Sequence, residues 1–187
     1  MSLRKTIEVV TKLAEGGAIQ RYAIAGAVAA LNYIEPMLTE DLDILVSIAH
    51  FEKHQSGLIL LTPIAKALAD LGYSERTDVG FIINEWPVQF LPVASELEEE
   101  ALERAIELDI DMTGDPPLKA RVLRAEHIVA IGVRLGRLKD LARVQAFLDA
   151  RAVDLAALKN IVERNDLTTN WLSFCAKAGI ENPLQDT

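Results

Sequence analysis

The sequence is short of several things, and each shortage excludes a class of protein. It has one cysteine, Cys175, in 187 residues. No disulfide can form within the chain, a cysteine-ligated zinc site is excluded, and a reducing, cytoplasmic setting is the expectation. Aromatic residues make up 5%; Trp86 and Trp171 are too isolated to form a stacking platform for single strands. No apolar run reaches the length of a membrane span, because Asp41, Asp43 and Glu85 interrupt the longest candidates. Met1-Ser2-Leu3-Arg4-Lys5 leads into a polar periodic segment and not into a signal-peptide core. Basic charge is also scarce: 19 Lys and Arg face 28 Asp and Glu, for a net charge of −9.

What is present is a balanced globular composition, 50% hydrophobic and 25% charged. The charge is uneven. Ser95 to Asp115 carries nine acids against Arg104 alone, whereas Pro116 to Arg151 carries eight bases against three acids, a net of +5. A basic segment inside an acidic chain points to a local anion site, not to a general nucleic-acid surface. Solvated helix faces are the competing explanation for most of these charges.

Periodicity divides the chain in two. Leu3, Ile7, Val10 and Ala14 recur at helical spacing before Gly16-Gly17. Tyr22–Ala25 reads as a buried strand closed by Gly26, Ala27–Tyr33 as a short helix, and Leu42–Ile48 as a second strand. Thr62-Pro63 opens a helix that runs to Leu71. Phe81–Asn84 and Val88–Leu91 flank Glu85-Trp86-Pro87 as a hairpin. Leu97–Leu108 reads as an acidic helix and Leu118–Leu123 as a strand. From Ala125 only helices are expected: Glu126–Leu135, Lys139–Ala150, Leu155–Asn165 and Thr169–Lys177. The expected class is α+β, a small mixed sheet flanked by helices (residues 1–124) with a C-terminal helical region (125–187) packed on it.

The chemistry concentrates between Tyr22 and Val46. Residues two apart in a strand share a face, so Asp41 and Asp43 project together. Two such carboxylates repel unless a cation lies between them, and oxygen donors of this kind suit magnesium. Taken alone, an Asp-x-Asp strand start with solvated acids is the commoner situation. Gly26 shifts the balance, because a glycine at a strand-to-helix turn lets the backbone approach a phosphate at a helix N-terminus.

Gly26-Ala27 followed by Thr39 and Asp41-Leu42-Asp43 resembles the pattern of the polymerase β-like nucleotidyltransferase superfamily, in particular small bacterial abortive-infection, toxin-type members. Ala125-Glu126-His127-Ile128-Val129-Ala130-Ile131 and Gly136-Arg137-Leu138-Lys139-Asp140 are similar to a second motif of that branch. The resemblance implies binding of a nucleoside triphosphate with Mg2+, nucleotidyl transfer to RNA or another acceptor, and a place in a toxin–antitoxin pair with an antitoxin protein as partner. It assigns triphosphate binding to Gly26, Ala27 and Thr39, metal binding and catalysis to Asp41 and Asp43, and phosphate or base contact to Lys139, also catalytic, with Asp140 in the nucleotide site to orient Lys139 or cap the helix; Arg137 and Lys139, near a helix break, can swing toward an anion. A local Lys139–Asp140 ion pair on a helix start is the structural alternative.

The chain departs from the pattern twice. Ala27 stands where a serine is common, which removes a hydroxyl contact. Gln89 stands in the strand position where the superfamily carries a third acid, and glutamine is neither a base nor an anionic ligand. An enzyme, a nucleotide-binding module without transfer chemistry, and a partner-docking protein with a vestigial cleft are therefore all open. Among the other candidates, His50 and His54 have i,i+4 spacing but no third ligand. His127 reads as a core or cleft-wall histidine, and Cys175 as buried and inert.

Overall fold

A computed structural model describes residues 3–47, 61–78, 80–110 and 118–185. Its elements are α1 (Leu3–Glu15), β1 (Arg21–Ile24), α2 (Gly26–Ala30), β2 (Leu42–Ser47), α3 (Thr62–Asp70), β3 (Phe81–Ile83), β4 (Trp86–Pro92), α4 (Glu96–Glu103), β5 (Ile106–Ile110), β6 (Leu118–Val122), α5 (Ala125–Leu135), α6 (Leu138–Asp149), α7 (Leu155–Arg164) and α8 (Thr168–Ala178). The class is α+β, as expected.

The strands form one six-stranded mixed sheet in the order β3-β4-β2-β1-β6-β5. β2 lies antiparallel to β1 and parallel to β4, while β1 lies parallel to β6. The hairpin β3–β4 closes on Asn84 and Glu85, both at positive φ (50° and 70°), the twist that suits a two-residue hairpin turn. Pro87 occupies the second position of β4 and so sits at the strand start, where a missing N–H disturbs the ladder least.

One expectation fails between residues 96 and 110. The acidic helix ends at Glu103, and Ile106–Ile110 is an edge strand antiparallel to β6. The segment Ile106-Glu107-Leu108-Asp109-Ile110 alternates with period two, and that pattern prevails over the helical continuation. Its acids face bases across the ladder, Glu107 opposite Arg121 and Asp109 opposite Lys119, with Lys119 Nζ 3.3 Å from Glu107. Charged side chains on an edge strand also discourage pairing with another chain. The helix expected over Ala27–Tyr33 is shorter, ending at Ala30 before a turn in which Asn32 donates to the Ala29 carbonyl.

The hydrophobic core is continuous from Ile7 to Leu184 and joins the sheet to α5–α8. Helix α5 is the hub: it packs against α2, α4, α6, α7 and α8. Leu42, Ile44 and Val46 of β2 are fully buried. Asp43 and Leu45, on the opposite parity, face a cleft between the sheet and α5–α6. His50 and His54 lie outside the described residues, as do Asp111 and Asp115 of the acidic run.

Candidate functional site

The cleft has a volume of about 660 Å³, within the range of small-molecule sites. Of the residues singled out in the sequence, Gly26, Thr39, Asp41, Asp43, Gln89, Arg137, Lys139 and Asp140 all line it. Ala27 does not; it is buried in α2 behind Gly26.

The sheet side is built around Asp43. Gly26 takes φ +60°, and a Cβ there would lie 2.1 Å from Asp43 Oδ2. Only glycine fits that contact and that conformation. The Ala25 N–H donates to the Asp43 carbonyl at 2.8 Å, which seats the turn alongside β2. No side chain caps the N-terminus of α2. Thr39 Oγ1 donates to the Asp41 carbonyl at 3.0 Å and reaches Asp41 Oδ1 at 3.2 Å, so its hydroxyl orients Asp41. Burial pushes the Asp43 carboxyl above its ordinary value, and the neighbouring Asp41 adds to the shift; Lys139, Arg143 and Arg137 oppose it.

The helical side is the first turn and a half of α6. Helix α5 ends at Gly136, whose φ of +64° caps it, and Arg137 opens α6. Gly132 lets the two helices approach: a Cβ there would lie 3.0 Å from Val144 Cγ2 and 3.5 Å from the Asp140 carbonyl oxygen. Asp140 is buried, with its carboxylate 2.5 Å from Arg137 Nε and 3.5 Å from Arg143 Nη1. Arg137 is held charged by its bond to Asp140, with Asp43 and Asp41 adding to the effect. Asp140 therefore pairs with two arginines, not with Lys139. Lys139 is exposed and makes no ion pair among the described residues.

The third acid is absent from the strand position opposite Asp43. Asp43 is the register partner of Gln89 in the parallel β2–β4 ladder, and both side chains face the cleft. Glu98 also lines the cleft, but Arg134 binds one of its oxygens and the Ala94 N–H the other. Among the described residues no cluster of three His, Cys, Asp or Glu side chains is placed to hold a metal. Two carboxylates and one amide carbonyl still fit magnesium, which is commonly held by one or two carboxylates together with substrate phosphates and water.

Sequence reasoning missed Arg143, Gly132, Glu40 and Glu98. Arg143 follows Asp140 by one helical turn, so i,i+3 spacing was the available signal. His127 does not line the cleft. It is buried, with Nε2 3.4 Å from Glu100 Oε1, and burial lowers its pKa despite that carboxylate. Cys175 is buried, which pushes its thiol pKa up.

No protein-family model matches the chain, and no curated protein matches it. Among solved structures it is similar to an antigenic nucleotidyltransferase-like protein from Paracoccidioides brasiliensis, at 17% identity over 90% of this chain and 91% of that chain, with a TM-score of 0.49. It is also similar to the antibiotic-resistance factor ANT(2'')-Ia, at 16% identity over 94% of each chain, with a TM-score of 0.46. Likenesses this distant decide neither fold family nor chemistry.

Proposed function

We propose that the cleft binds a nucleoside triphosphate as its magnesium complex, in a protein of nucleotidyltransferase type. The supporting observation is the opposition of two charge sets across one cavity. Asp41 and Asp43 stand on the sheet, and Arg137, Lys139 and Arg143 stand on α6, close enough for all three bases to act on the Asp43 carboxyl. A cation relieves the repulsion between the two aspartates, and an anion satisfies the bases. A metal–triphosphate supplies both at once. Magnesium in such a place neutralises charge on phosphate oxygens. Asp41 and Asp43 would hold it, with the Gln89 carbonyl as a neutral third donor.

The aliphatic part of the cleft, with Leu45, Leu91, Ile128 and Ile131, offers the rest of the nucleotide an apolar wall. Among the described residues none that lines the cleft is aromatic, so these residues would pack against a base without ring stacking.

The resemblance extends the reading to nucleotidyl transfer onto RNA or another acceptor. Gln89 in register with Asp43 favours binding over transfer, since it cannot accept the acceptor's proton. Calorimetry with Mg-ATP, Mg-GTP, Mg-CTP and Mg-UTP tests binding, and labelled triphosphates with total RNA test transfer. Binding that Asp41→Asn abolishes, without label transfer, is the expected result. Transfer lost in Asp43→Ala would establish the enzyme, and no binding of any triphosphate would overturn the reading.

A further inference from the structure

We propose that Arg143 is the buried phosphate-binding fork of this cleft, parked on Asp140 until a polyphosphate arrives; this rests on the metal–triphosphate reading above. The first ground is its unsatisfied chemistry. The Arg143 side chain is only 14% exposed, and its one ion-pair contact is the 3.5 Å approach to Asp140 Oδ1. That distance is at the limit of a hydrogen bond. Asp140 is already engaged more closely, at 2.5 Å, by Arg137 Nε. Arg143 Nε is buried with no hydrogen-bond partner. A guanidinium has five donors, and burying it with so few partners is costly.

The second ground is position. Arg143 lines the cleft, and its charge is felt by Asp43 on the opposite wall. It therefore looks across the space that a metal-bound phosphate would fill. Arg137 is 57% exposed at the cleft edge and Lys139 is exposed beside it, so Arg143 is the deepest of the three bases. The third ground is geometry: a planar fork can take two oxygens of one phosphate, which an ammonium cannot do. Asp140 Oδ1, 3.5 Å from Nη1, is the contact that holds the guanidinium while the cleft is empty. The Asp140 contact uses Nη1 alone and is long, and Nε is closed off from the cleft, so the Nη1/Nη2 end of the fork is what an anion would take.

Calorimetry with Mg2+ and inorganic tripolyphosphate, alongside Mg-ATP, tests this without involving the nucleoside. Arg143→Met removes charge and donors, and Arg143→Lys keeps only the charge. Lys177→Met, on α8 and away from the cleft, controls for net charge. Thermal melts of every variant verify folding. The expectation is that Arg143→Met weakens both ligands about tenfold or more, that Arg143→Lys restores only part of the loss, and that Lys177→Met binds as wild type. If wild type binds and the two folded Arg143 variants stay within about twofold of it, the role of Arg143 is refuted and the nucleotide reading stands. If Arg143→Met fails to fold, Arg143→Lys decides alone: full affinity refutes the fork. If wild type binds Mg-ATP but not tripolyphosphate, Arg143 is not a phosphate site. No binding of either ligand by wild type overturns both proposals.

Discussion

Two clusters of charge lie within the same fold, and they are built on opposite terms. Glu100 of α4 accepts from Arg164 Nε at 3.0 Å, stands 3.0 Å from Arg104 and lies 3.4 Å from His127. Its carboxylate loses some hydration on burial, but Arg164, His127 and Arg104 outweigh that and hold its pKa low. The cluster laces α4 to α5 and α7. In the cleft, Asp43 is pushed the other way, Arg143 has an unpartnered donor, and Lys139 has no ion pair among the described residues. Apart from the His127 ring nitrogens, which have no hydrogen-bond partner, the charges of the first cluster satisfy one another and tie helices together. Charges left wanting, gathered in a cavity, are what a ligand can satisfy.

The contrast can be broken by substitution. The largest effect is expected at Asp43→Asn. Mg-ATP binding should fall about 100-fold or more by calorimetry, since loss of even an outer-shell partner costs a metal site 10–100-fold. The same change should leave the apo protein more stable at neutral pH. The sign follows from the raised pKa. The native carboxyl holds its proton more tightly than the unfolded one, so native stability falls as pH rises from the ordinary value of 3.8 through the native pKa. Above that window Asp43 is a native-state liability, and its removal is a gain that vanishes below pH 3.8. A urea titration at several pH values measures it.

Gly26→Ala comes next. The substitution strains a φ of +60° and drives a methyl into Asp43. A cost of about 1–3 kcal/mol in stability is expected, together with loss of Mg-ATP binding. Full affinity would show that the contact with Asp43 is dispensable.

Glu100→Gln should do the reverse of Asp43→Asn. It removes the charge that Arg164 and Arg104 pair with and that lies beside His127, for a loss of about 1–2 kcal/mol in chemical denaturation, with Mg-ATP affinity within about twofold of wild type. The smallest effect concerns pH. Burial lowers the His127 pKa, so the unfolded chain binds the proton first, and stability falls as pH drops from 6.5 toward the native value. His127→Phe should flatten that slope. An unchanged slope would place the titrating group elsewhere.

The sequence made legible what rests on local pattern and period. The glycine turn, the paired aspartates and their common face, the β3–β4 hairpin and the start of α6 are all short-range features. Gln89 could be picked out as the polar position of Val88–Leu91, the strand where the resemblance expects an acid; its register with Asp43 is set by the β2–β4 ladder. Strand β5 was obscured because Glu and Leu in alternation suit both an acidic helix and an edge strand, and only pairing with Lys119 and Arg121 decides between them. The Glu100 network joins residues up to 64 positions apart, and nothing in one sequence connects them. Arg143 looked like one more base on a solvated helix. Its burial depends on Gly132 admitting α6 close to α5.

If a metal–triphosphate is what joins the cleft's two charge sets, the whole ligand should bind far more tightly than its parts. Calorimetry with Mg2+ alone, ATP alone and Mg-ATP tests it most directly. Mg-ATP should bind strongly, at least about tenfold tighter than either component, and Asp43→Asn should lose that binding. Equal affinity for ATP with and without Mg2+, unchanged in Asp43→Asn, would contradict it.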